Sequence, residues 1–93
     1  MSTFVTLFKF IPPNRGGGPD RFKKFTGLIE AEGGRLLSFH GLMGEYDVMI
    51  VCEYPGVRNA MKSAAAIGNL INAQPRTMAA LEKDDFLKLL SEL

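Results

Sequence analysis

Apolar residues recur along this chain at two different periods, and the switches between them mark out its elements. Residues 3–10, TFVTLFKF, are β-branched and aromatic, which favours a strand. Phe4, Thr6, Phe8 and Phe10 share one face of that strand, and Val5, Leu7 and Lys9 share the other. Pro12 and Pro13 end it, and NRGGG follows as a glycine-rich loop. Pro19 and Asp20 then suit a first helical turn, where a missing N–H costs nothing and negative charge meets the positive helix end. Phe22, Phe25, Leu28, Ile29 and Glu32 fall at helical spacing, with Phe22, Phe25 and Ile29 predicted as the buried stripe. Gly33 and Gly34 stop the helix.

From Arg35, RLLSFHG reads as a second strand, and GLMGEYD, residues 41–47, turns it into a third over residues 46–53. Pro55 and Gly56 break that strand. A helix is predicted from Val57 to about residue 70, with Val57, Ala60, Met61, Ala64 and Ile67 on one side. Its small residues, Ser63 to Ala66 and Gly68, allow close packing. Residues 75–82, PRTMAALE, make a fourth strand. Asp84 and Asp85 open a last helix whose Phe86, Leu89, Leu90 and Leu93 form a stripe. The order βαββαβ plus a terminal helix predicts a single α+β domain over residues 1–93, a ferredoxin-like four-stranded antiparallel sheet with the first and third strands central. The third strand is apolar on both faces: Val48, Ile50 and Cys52 on one, Met49 and Val51 on the other. Two helices cover only one face, and an antiparallel sheet with a wet second face would alternate more cleanly. A second copy of the chain is the economical cover, two sheets closing face to face into a dimeric α/β barrel.

Composition narrows the function. At 93 residues the core is modest, so a partner surface would help. Acids and bases nearly cancel, at +1 net, which argues against a broad basic face for nucleic acid. The longest apolar runs fall far short of the ~18 residues a membrane span needs, and the N-terminus lacks the pattern of a secretory signal. The one cysteine, Cys52, forms no intrachain disulfide, so a cytoplasmic setting is expected.

Chemistry-bearing residues are few. Gly44 suits a turn position of positive φ. Alternation along the third strand puts Tyr46 on the side of Val48 and Asp47 on the side of Met49. Asp47 then either ties down the hairpin, as turn aspartates do, or lines with Tyr46 a pocket at the barrel mouth. His40, the only histidine, sits across that hairpin. It is either a solvated strand-end residue or, with Tyr46 and Asp47, a proton-handling set. No second histidine or cysteine stands near it, so no metal site is expected, and no cofactor is required. Cys52 reads as a small buried hydrophobe. Arg15 and Arg21 flank a helix start, where free N–H groups bind anions, although the phosphate-loop spacing is absent; a solvated basic face is the other reading.

The motif Gly44-Glu45-Tyr46-Asp47, together with TFVTLFKF, GPDRF, the GG before the second strand and RTMAALEKDDF, resembles the GYD-domain family over essentially the whole chain. The resemblance implies a ferredoxin-like fold of the dimeric α/β-barrel type and says little about activity. The hairpin is also similar to one in the effector-sensing domains of Lrp/AsnC-type regulators. The NRGGG segment departs from the family, being shorter and richer in glycine. Two functions follow as expectations. One is a homodimeric module, alone or in a higher assembly, that senses or carries a small apolar or aromatic ligand near His40, Gly44, Tyr46 and Asp47, with no nucleic acid or membrane as partner. The alternative is a small cofactor-free or haem-using monooxygenase or isomerase, with Phe4, Phe8 and Phe10 facing a greasy pocket and His40, Tyr46 and Asp47 moving protons.

Overall fold

A computed structural model describes residues 1–13 and 18–93. The elements are β1 (Ser2–Phe10), α1 (Pro19–Ala31), β2 (Arg35–Gly41), β3 (Val48–Tyr54), α2 (Val57–Ile71), β4 (Ala73–Ala80) and α3 (Lys83–Ser91). The four strands form one antiparallel sheet in the order β2-β3-β1-β4, the ferredoxin-like arrangement expected from the element order. β1 and β3 are central because their side chains are the most apolar on both faces.

The register decides which face is core. Phe4 pairs with Cys52, Thr6 with Ile50 and Phe8 with Val48, and all six are buried on the side where α1 and α2 pack. Phe25 and Ile29 of α1 and Ala60, Ser63, Ala64 and Ile67 of α2 complete this layer. The face of Phe4 and Phe8 is therefore solid interior. Phe8 is fully enclosed by the helices and Phe10, at the strand end, lies at the surface, so the three phenylalanines do not line one open pocket. α1 ends as its glycines demand: the N–H of Gly33 donates to the Glu30 carbonyl and that of Gly34 to the Ile29 carbonyl.

Several boundaries and burials shift. β3 begins at Val48 rather than 46 and runs on to Tyr54, because Tyr54 continues the buried alternation of 48, 50 and 52. β4 lies two residues earlier than predicted, since Asn72 ends α2 in the left-handed region and turns the chain at once. Phe22, assigned to the buried stripe, is 45% exposed: it stacks on Phe25 and edges Phe39 at the rim of the core. Val57 and Met61 of α2 are 61% and 63% exposed, because the buried side of that helix is centred on Ala60, Ser63, Ala64 and Ile67 instead. The stripe of α3 is exposed throughout, and no α3 residue is buried. No helix is long and apolar enough to cross a membrane.

Candidate functional site

The hairpin between β2 and β3 is fastened to β1 by Asp47. The Asp47 N–H donates to the Phe8 carbonyl at 2.9 Å, and the Leu42 N–H donates to the Asp47 carbonyl at 2.8 Å. The Asp47 carboxylate then accepts from the Phe10 N–H at 2.8 Å, across 37 residues of sequence. Lys9 adds a bond from Nζ to the Glu45 carbonyl at 3.0 Å. A charged acceptor on a backbone donor is among the stronger single hydrogen bonds, and it ends the β1 ladder in place of a strand partner. Gly44 has φ of 136°, a conformation closed to residues with a Cβ, and its neighbourhood is open space. Tyr46 is half-buried beside it.

His40 is exposed and pairs with Met49 across the sheet, on the face opposite the helices. Val5 and Leu7 of β1 share this open face with Met49 and Val51 of β3, and all four are half-buried. Met78 of β4 continues the apolar strip, opposite Val5, and is exposed. Polar groups border it: Ser38 and His40 on one side, Arg76 on the other, and an Arg35–Glu53 ion pair of 2.6 Å at one end. α1 and α2 both pack on the opposite face.

The anion expectation divides. Arg15 lies outside the described residues. Arg21 borders a groove of about 290 Å³ with Pro13 and Asn69 to Asn72. That groove is organised by Asn72, whose Nδ2 donates to the Ile11 carbonyl at 2.8 Å and to the Pro13 carbonyl at 3.3 Å. Among the described residues no group of three or more His, Cys, Asp or Glu side chains is placed to hold a metal ion.

A larger apolar groove, of about 390 Å³, runs between α2 and β4, lined by Phe4, Val57, Met61, Ala64, Pro75 and Ala79. Beneath this layer lies a polar pair that the sequence did not announce. The Tyr54 hydroxyl donates to Ser63 Oγ at 2.8 Å, with both residues buried. Burial pushes the Tyr54 phenol well above its ordinary value. Burial likewise raises the Cys52 thiol, which matches an inert core cysteine. A signal for the pair did exist: Tyr54 extends the two-residue alternation of β3, and Ser63 stands at helical spacing with the buried Ala60 and Ile67.

Among curated proteins, none matches this chain. Among solved structures, the fold is similar to the Mycobacterium tuberculosis leucine response regulatory protein LrpA. The TM-score is 0.61 at 15% identity, covering 88% of this chain and 51% of the regulator, so the chain spans about half of that protein's length. The family model described as "GYD domain" matches residues 14–90, which take in the Gly44–Asp47 hairpin, β2 to β4 and both packed helices, while β1, to which Asp47 fastens the hairpin, precedes the match. With most of its length and its hairpin motif inside that match, this chain belongs to the GYD-domain family.

Proposed function

We propose that the protein is a binding module that works in pairs, sensing or carrying a small apolar or aromatic molecule between two stacked sheets. The observation that carries this reading is the open sheet face. Val5, Leu7, Met49, Val51 and Met78 form a continuous apolar strip on the face opposite α1 and α2, where none of the five is buried. A strip of this kind in water is an association surface. Two copies stacked on it bury the strip at the usual ~10 Å spacing of packed sheets, with His40 and Arg76 at its borders. A ligand at the mouth of such a barrel meets the His40, Gly44, Tyr46 and Asp47 end of the sheet. The likeness of fold to a leucine response regulatory protein supports a sensing role, since that protein's name joins this architecture to a response to a small molecule.

The enzyme alternative draws no specific support from the geometry. The Asp47 carboxylate holds the Phe10 N–H, and His40 stands on an exposed strand end. Native mass spectrometry of gently purified protein tests the proposal. An even-numbered assembly retaining a constant small mass is the expected result. A clean monomer at micromolar concentration would overturn the paired arrangement, and an assembly that binds no small molecule from a metabolite library would overturn the sensing role.

A further inference from the structure

The C-terminal helix and the outer groove are each left unpartnered, and they are complementary. α3 follows β4 after only Leu81 and Glu82, and none of its residues is buried against its own chain. Its Phe86, Leu89 and Leu90 nevertheless fall on one side at helical spacing and are all exposed, as are Leu87 and Leu93. Isolated helices of nine residues are marginal in water, so an amphipathic one needs a surface to hold it. The radius of gyration, 14.1 Å, exceeds the value of about 12 Å for a compact chain of this length, in keeping with a helix that stands off the body.

The groove between α2 and β4 has the matching chemistry. Its floor is Phe4, Ala60 and Ala64, small or flat, and its wall is Val57 and Met61, both more than half exposed. Methionine suits such a surface because its side chain moulds to an incoming apolar helix. Arg58 and Lys62 stand with Val57 and Met61 along the outer side of α2. Arg58 makes no ion pair among the described residues, whereas Lys62 lies 3.4 Å from Glu32. α3 carries Asp84 and Asp85 in its first turn, and Asp85 borders its apolar stripe. Lys83 and Lys88 leave α3 neutral as a whole, but its Asp84–Asp85 end is opposite in sign to Arg58.

We propose that α3 of one copy docks into the α2–β4 groove of a second copy of this chain, with Leu89 and Leu90 against Met61 and the Asp84–Asp85 end toward Arg58. This contact uses the helix side of the sheet, opposite the apolar strip, so it goes beyond the paired stacking above and stands or falls separately. A helix-in-groove contact of this size is small by the standards of stable interfaces, which gives α3 the character of a clasp that strengthens or extends an assembly.

The test mixes two full-length variants, Met61→Cys and Leu90→Cys, distinguishable by mass, and treats them with a short bismaleimide. Native Cys52, 1% exposed, does not compete. The expected product joins position 61 of one chain to position 90 of another, and Leu89→Asp in the second variant suppresses it. Sedimentation of the otherwise native chain carrying Leu89→Asp should show association weakened about tenfold, the scale of losing one interface anchor. Because α3 contributes nothing to the core, this variant folds. A 61–90 link formed within one chain of a double variant at high dilution would overturn the proposal in favour of the helix folding back on its own groove. No link above that of a urea-unfolded control, or unchanged sedimentation of the Leu89→Asp chain, would overturn it outright.

Discussion

Asp47 gives the sharpest test of how the hairpin is held. Its carboxylate accepts one hydrogen bond, from the Phe10 N–H at 2.8 Å, and that donor lies at the exposed end of β1. A hydrogen bond to a charged group contributes about 1.5–3 kcal/mol, and the exposed setting points to the lower end because water replaces part of the loss. Asp47→Ala should therefore cost about 1.5 kcal/mol. A domain of this size loses about 4–8 °C of Tm per kcal/mol, so the melting point should fall by roughly 6–12 °C. Asp47→Asn keeps an acceptor oxygen without the charge and should cost about half as much. Urea titration should show the midpoint moving at constant m-value, since the compactness of neither state changes. Glu45→Ala is the control: only its backbone carbonyl is engaged, by Lys9, so stability should stay within about 0.5 kcal/mol of the parent. If Asp47→Ala and Glu45→Ala melt alike, the carboxylate does not anchor β1, and the structural explanation of the motif fails.

Three further outcomes follow from the packing. A Cβ on Gly68 would stand 2.7 Å from the Ala73 carbonyl oxygen and 3.3 Å from Pro75, so Gly68→Ala must push α2 off β4 and should cost about 1–3 kcal/mol by chemical denaturation. Tyr54→Phe leaves Ser63 without its buried donor and should cost about 1–2 kcal/mol at pH 7. The folded-state phenol is raised above its unfolded value of 10.0, so the native state holds its proton more tightly; the stability it contributes is complete below pH 10 and is lost as pH rises toward the folded pKa. The gap between parent and Tyr54→Phe should therefore narrow above pH 10, and a gap that widens there would refute the assignment. Val51→Asp places a charge in the middle of the apolar strip and should convert pairs to monomers by analytical ultracentrifugation, while a circular dichroism spectrum like the parent's shows the fold retained.

The order of elements was legible because it is carried by local periodicity. Alternation in residues 3–10, helical spacing from Phe22 to Ile29, and proline or glycine at each break recur within a few residues of one another, and β2 begins and ends where the pattern placed it. The family was likewise legible, from the Gly44–Asp47 motif and its flanks, and the family match over residues 14–90 agrees with it. What required the tertiary structure was every choice between two equally apolar options. β1 offers Phe4 and Phe8 on one face and Val5 and Leu7 on the other, and only the packing of α1 and α2 decides that the phenylalanines form the core and the aliphatics lie on the open face. Phe22 carries as much apolar surface as Phe25, yet sits at the rim because the helix rolls about Phe25 and Ile29. The anchoring of Asp47 to Phe10, the bond from Tyr54 to Ser63 and the isolation of α3 each depend on residues or elements that local spacing does not relate. Periodicity fixes which side of an element is apolar; only the competition among all apolar sides for a limited interior decides which of them is buried and which remains to bind something else.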